Sequence, residues 1–309
     1  MSTHEKELEP TTESVVEDTA KDSDKNPNQN EISSEFEKLK PGLVMTPSKI
    51  GNFAVYKNDT IVSHAIRLFG EYSHAEIDVM SLYLNEDSVY LDVGTNIGYH
   101  ALAIHKQNKC KVLAFEPHPT HFLVAAFNCQ NSPIQVLNAG LSDEEGTFTI
   151  DDFDIEVAGN YGTVASSAKG IEAQVTTMDS LELAKCDVIK IDVEGLEYKV
   201  LMGGLKTIEK FRPVIFYEAI DSTVWPTCHK LLDSMGYQQY WVGCKNKPVS
   251  PTFHKTDDNP FGNGAVANIL AVPKEREQPN FLMPSVEFNG KLENFHEMLE
   301  RCKKYVLLF

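Results

Sequence analysis

The sequence has no run approaching the roughly 18–20 apolar residues that a membrane-spanning helix requires. Its opening, MSTHEKELEP, lacks the basic-then-apolar layout of a secretory signal. Cysteine is sparse and scattered: Cys110, Cys129, Cys186, Cys228, Cys244 and Cys302 contain no C-x-x-C pair. That argues against a zinc site and against a disulfide framework, and a reduced, cytoplasmic setting is expected. Asn58-Asp59-Thr60 fits a glycosylation acceptor, but nothing else points to secretion. Positive charge is also scarce. Lys+Arg number 28 against 45 Asp+Glu, a formal charge of −17. Such a chain is a poor partner for a phosphate backbone or an anionic bilayer, so neither nucleic acid nor membrane is expected as its partner.

What is present is enough apolar material for a sizeable core, 42% of 309 residues, with a prior of one or two domains. Residues 1–40 are set apart: 11 acidic and 5 basic residues lie among Ser, Thr, Asn and Pro, with few apolar residues. Too little can be buried there to offset ordering entropy, and a disordered acidic tail is expected. Residues 41–86 read as a helical extension. Apolar residues recur at helical spacing over 61–69 (Ile61, Ala65, Ile66, Phe69) and 74–84 (Ile77, Met80, Leu82, Leu84).

A βαβα rhythm follows. Strands are predicted at 88–93, 111–115, 134–141, 187–193 and 213–218, and helices at 97–106, 120–130, 196–210 and 227–235. The strand runs are apolar on both faces, as in a parallel sheet covered by helices on each side. Two departures stand out. Residues 146–178 alternate polar and apolar, which suggests a β-excursion off the sheet. No crossover helix separates 237–243 from 266–272, which favours an antiparallel return of the last strand. The intervening loop, 245–264, and the helices at 61–84 are expected to shape a substrate pocket. A C-terminal accessory helix is predicted within 275–309, at 291–307.

Asp92-Val93-Gly94-Thr95-Asn96-Ile97-Gly98 lies where the first sheet strand turns into its helix. Glycines there allow a sharp turn and close approach of a ligand. The following helix offers free N–H groups to an anionic group. The D-x-G-x-x-x-G spacing differs from the G-x-G-x-x-G of dinucleotide sites. An acid ahead of the first glycine suits a ligand that carries a cation, such as S-adenosylmethionine. Glu116 ends the next strand, 24 residues later, where a carboxylate can accept from both hydroxyls of a ribose. Plain turn chemistry for the glycines and a solvated loop carboxylate for Glu116 are the bland alternatives.

Y-L-D-V-G-T-N-I-G-Y-H (90–100), A-F-E-P (114–117), L-S-D-E-E-G (141–146), M-D-S-L (178–181), K-I-D-V-E-G (190–195) and V-I-F-Y-E (214–218) resemble, in order and spacing, the FkbM family of S-adenosylmethionine-dependent methyltransferases. The resemblance covers roughly residues 71–272. It implies an α/β class I methyltransferase (Rossmann-like) fold over 87–274: a seven-stranded, mostly parallel sheet with an antiparallel last strand and helices on both faces. It places Asp92, Gly94, Asn96 and Gly98 at the methionine end of the cofactor and Glu116 on its ribose. Asp143 is implied near the adenine, although Ser142–Gly146 reads equally as a turn.

Lys190, Asp192 and Glu194 alternate along one strand and share a side; Glu218 ends the strand beside it. Glu194 and Glu218 are candidate general bases and Asp192 a positioning residue, with Lys190 neutralising Asp192. Helix capping by Glu194 and an ordinary exposed Glu218 remain open alternatives. The three carboxylates are hard oxygen ligands, but no spacing rule supports a metal and none is assigned. His74 and His100 could serve as bases, though a lone histidine is more often structural. Tyr237, Tyr240 and Trp241 read as core. The expected activity is O-methylation of a hydroxyl on a glycan or small molecule. A nucleotide-dependent enzyme such as a dehydrogenase, and a non-catalytic cofactor-binding adaptor, are the competing readings.

Overall fold

The computed structural model describes residues 29–219, 224–245, 258, 260–261, 265–279 and 283–284. In chain order the elements are α1 (Gln29–Leu39), β1 (Leu43–Ser48), β2 (Gly51–Tyr56), α2 (Val62–Phe69), α3 (His74–Ser81), β3 (Val89–Val93), α4 (Tyr99–Asn108), β4 (Lys111–Phe115), α5 (Pro119–Cys129), β5 (Gln135–Leu137), β6 (Gly140–Leu141), β7 (Gly146–Ile150), β8 (Ile171–Thr176), β9 (Val188–Ile191), α6 (Glu197–Met202), α7 (Leu205–Phe211), β10 (Val214–Glu218), α8 (Val224–Ser234), β11 (Tyr237–Lys245), β12 (Ala265–Pro273) and β13 (Met283–Pro284).

The main sheet runs β5-β4-β3-β9-β10-β12-β11-β13. The β5-β4-β3-β9-β10 pairs are parallel, and β12 is antiparallel to both its neighbours. The chain therefore has the expected seven strands with a reversed last one, and β13 adds a two-residue edge. Strand alternation builds two cores. Tyr90, Val112, Val188 and Phe216 face α3, α4 and the β1–β2 hairpin. Leu91, Phe115, Ile189 and Ile215 face the helices after β9 and β10. Both faces are covered, as the unbroken apolar runs require. The predicted core role of Tyr237, Tyr240 and Trp241 agrees with their burial.

The residues depart from the sequence reading in four places. Residues 29–39 were expected to be structureless; they form α1. Phe36 is buried and stacks on Phe127 of α5, with ring centroids 4.0 Å apart. An apolar pair, Phe36 and Leu39, is too little for a core of its own but enough to dock on one. Phe36→Ala is expected to cost about 2–4 kcal/mol in chemical denaturation; an unchanged midpoint would mean that α1 contributes nothing. The 41–86 extension opens with a β-hairpin before its two helices. The predicted strand 134–141 splits, sending β6 into a separate β6-β8-β7 sheet, the β-excursion. The predicted helix 196–210 breaks at Gly203-Gly204, where a Cβ on Gly203 would stand 1.8 Å from the Ser142 carbonyl oxygen. The tail before residue 29, most of loop 245–264 and the C-terminal helix at 291–307 lie outside the described residues.

Candidate active site

Two cavities meet at the carboxyl ends of β3, β4, β9 and β10. The first is a cleft of about 70 Å³, open to solvent and lined by Gly94, Asn96, Glu116, His121, Asp192 and Glu194 among others. Its floor is the turn after β3. Gly94, Asn96 and Gly98 all take left-handed backbone, φ +83°, +54° and +84°. The N–H groups of Gly94 and Thr95 both donate to the Phe115 carbonyl at 3.0 Å, pinning the turn to β4. The buried Glu116 carboxylate accepts from Asn96 N at 2.8 Å and His118 N at 2.9 Å. Burial pushes its pKa up to about 8, against the pull of those two N–H groups. A carboxylate held with a free lone pair on each oxygen fits a ribose diol.

The six residues expected at the cofactor divide. Gly94, Asn96 and Glu116 line the cleft. Asp92 does not: it is wholly buried behind the turn, accepting from Thr95 Oγ1 at 2.6 Å and Tyr90 Oη at 3.3 Å, with Lys190 Nζ at 3.7 Å. Gly98 likewise sits behind, packed on Ala125 and Cys129. These two residues shape the turn. Asp143 lines neither cavity. It accepts from Ser142 Oγ at 3.0 Å and pairs with Lys199 at 3.4 Å beside the α6–α7 break. His121 was not foreseen. Its Nε2 donates to the Tyr161 carbonyl at 2.8 Å and its Nδ1 accepts from Tyr56 Oη at 3.0 Å, so the ring is neutral and fixed. The excursion also supplies Gly162 and Val164 to the cleft.

The second cavity, about 30 Å³ and more enclosed, is lined by Tyr72, Glu76, His100, Asp192, Glu218 and Asn268 among others. Asp192 borders both spaces. Register explains the convergence: Asp92 pairs with Lys190 across β3 and β9, and Glu218 with Asn268 across β10 and β12. Lys190, fully buried, reaches Asp192 Oδ2 at 2.9 Å. Burial works against charge on Asp192, but Lys190 and a hydrogen bond from Glu218 hold its pKa below the usual carboxylate range. Glu218 is pushed the other way, to about 11, by burial and then by the Asp192 charge. The pair thus carries one negative charge, on Asp192, and one proton, on Glu218. Its Oε2 has no hydrogen-bond partner among the described residues. Glu194, at φ +54°, turns back towards this pair, and burial followed by Asp192 raises it to about 7. Glu76, unforeseen, accepts from Asn268 Nδ2 at 2.9 Å, and burial raises it to about 8. An acid inside the apolar face of α3 was its only signal. His74 lines neither cavity.

Comparisons with known proteins give the family. The family described as "Methyltransferase FkbM domain" matches residues 92–241. The chain is 34% identical over 186 residues to hexuronic acid methyltransferase AglP of Haloferax volcanii, covering 57% of this chain and 76% of that protein. It is 26% identical over 185 residues to Methyltransferase 1 of Beauveria bassiana, covering 49% and 72%. Among solved structures, methyltransferase FkbM of Methylobacillus flagellatus KT aligns with a TM-score of 0.42 at 15% identity, over 60% of this chain and 44% of that one. With Gly94, Asn96 and Glu116 gathered in one cleft, and a matching relative aligned over three quarters of its length, the chain belongs to the FkbM methyltransferase family and is an S-adenosylmethionine-dependent methyltransferase.

Proposed function

We propose that this chain methylates a hydroxyl oxygen of a glycan or small molecule, with the donor in the cleft of Gly94, Asn96 and Glu116 and the acceptor's hydroxyl reaching the enclosed cavity. The observation that carries this reading is the Asp192–Glu218 pair at the junction of the two spaces. When bound, S-adenosylmethionine supplies an electrophilic methyl group. Glu116 takes the ribose hydroxyls, and the acids bordering the cleft, Asp192 and Glu194, complement the donor's positive charge.

The acceptor side divides its labour by protonation state. Glu218 holds a proton at neutral pH, so it does not serve as the base; its free Oε2 accepts from the acceptor hydroxyl and orients it. Glu194, raised to about 7, is suited to taking the hydroxyl proton as the oxygen is methylated. Asp192, kept anionic by Lys190, positions both. The acid-rich lining favours a hydroxyl over a carboxylate acceptor. Among the described residues the cavity's one lysine, Lys190, is already committed to Asp192 and Asp92. The relative named for hexuronic acid supports a sugar acceptor.

Labelled-methyl transfer across glycans and small hydroxyl compounds, read by mass spectrometry, tests the reading. Glu194→Gln is expected to lower kcat by about 10²–10⁴ with S-adenosylhomocysteine affinity retained. Glu218→Gln is expected to raise KM more than it lowers kcat. Transfer to carboxylates alone would sink the hydroxyl assignment. Full turnover in Glu194→Gln would remove Glu194 as the base.

A further inference from the structure

The junction holds more acid than methyl transfer by a single base requires. Asp192, Glu194 and Glu218 each offer one carboxylate oxygen, and these lie within 4.8 Å of one another. Two oxygens on opposite sides of one ion are separated by twice the metal–oxygen distance, about 4.6–5.2 Å for calcium and about 4.0–4.2 Å for magnesium. That limit lies within the span of a calcium-sized ion; a smaller ion would draw the three oxygens together. They sit at the carboxyl ends of β9 and β10, the end where open α/β sheets bind ligands.

A separate observation comes from His100. It is only 7% exposed and lines the same cavity as Asp192 and Glu218. Its Nε2 has no hydrogen-bond partner among the described residues, and the nearest carboxylate oxygen, Glu76 Oε2, is 3.7 Å away. The ring interacts with the Ser73 backbone carbonyl, which places its proton on Nδ1 and leaves a lone pair on Nε2. A buried lone pair with nothing to accept is costly. A water bound to a cation supplies the missing donor, as outer groups around metal sites commonly do. Glu218 gives up its proton to serve as a ligand, a release that the charge of a bound ion drives.

We propose that Asp192, Glu194 and Glu218 hold a divalent cation of the magnesium, manganese or calcium type, that His100 accepts from a water on it, and that the cation binds the acceptor oxygen beside the methyl donor. The acceptor part rests on the hydroxyl reading above; the ion site itself does not. Tag-free full-length protein, stripped with chelator, is titrated with manganese chloride. Binding is followed by calorimetry and by loss of the free-ion paramagnetic resonance signal. The expected result is one ion per chain with a dissociation constant on the order of 10⁻⁵ M. Glu194→Gln, Glu218→Gln and His100→Ala are each expected to weaken it roughly tenfold or more. S-adenosylhomocysteine binding reports that each variant is folded. Should Glu218→Gln fail to fold, the more accessible Glu194→Gln carries the test. Absence of saturable binding, or binding unchanged in Glu194→Gln and His100→Ala, overturns the site. Hydroxyl methylation that survives chelation, with no manganese bound, overturns the cation and leaves the acceptor reading intact. Manganese bound at the three acids, with transfer to no hydroxyl, supports the site and overturns the acceptor reading.

Discussion

Gly94→Ala is expected to lose the donor cleft and to destabilise the fold by about 3–5 kcal/mol. Two separate costs add. The residue sits at φ +83°, where an L side chain is strained by about 1–2 kcal/mol. A Cβ there would also stand 1.8 Å from the Asp192 carbonyl oxygen and 2.9 Å from its carbon. These are backbone atoms at the end of the neighbouring strand, and no side-chain rotation relieves the clash. The strand is pinned as well, because Asp192 N donates to the Val93 carbonyl at 3.0 Å. Relief therefore moves Asp192, which borders both cavities, or moves the turn that carries Asn96 to Glu116. Gly98→Ala is the control. Its φ is +84°, but the nearest atoms are the Cys129 Sγ at 3.2 Å and Ala125 at 3.4 Å, a contact that a few tenths of an ångström can ease. The larger effect should appear as a fall in melting temperature on the order of 10 °C for Gly94→Ala, with loss of S-adenosylhomocysteine binding by calorimetry. Equal effects at the two glycines would show that the clash with Asp192 does not govern the turn.

The second large effect is a pH dependence at Glu116. Burial raises its pKa to about 8, well above its unfolded value near 4.5. Between those values the folded protein holds a proton that the unfolded chain has released. Its contribution to stability is therefore full below about pH 4.5 and is lost as pH rises towards 8. Donor affinity runs the opposite way, because ribose hydroxyls donate to the ionised carboxylate. Affinity should strengthen by up to about tenfold per pH unit below 8 and then level off. Glu116→Gln should flatten both trends and cost about 1–3 kcal/mol of binding, as loss of a charge-assisted contact does. Glu194 borders the same cleft and titrates nearby, so the informative quantity is the difference between wild type and Glu116→Gln. If that difference has no slope between pH 6 and 8, Glu116 does not hold the donor.

Local periodicity accounts for what could be read from the residues in order. The apolar runs at 111–115 and 214–218 became β4 and β10, since both faces of those strands are covered and alternation places no polar side chain in either core. The missing helix between 243 and 266 likewise showed as the antiparallel β12. Where the periodicity was short, it misled. Phe36 and Leu39 anchor α1, and the signal that broke the helix at Gly203 lies 61 residues upstream, in the Ser142 carbonyl it must approach.

Three features were legible along the chain: the order of the βαβ units, the D-x-G-x-x-x-G turn with an acid one strand later, and the family. Each depends on residues close along the chain, whose backbone preferences act locally. Which acids meet, and which of them is charged, follows from the packed fold. Glu76, His100 and Asn268 come from α3, α4 and β12 into one cavity, while Asp143 turns away to Lys199. The proton sits on Glu218 because Lys190 stands 2.9 Å from Asp192, a distance set by strand register and burial. Protonation depends on spacing and desolvation in three dimensions, and neither quantity is carried by residue type or by position along the chain.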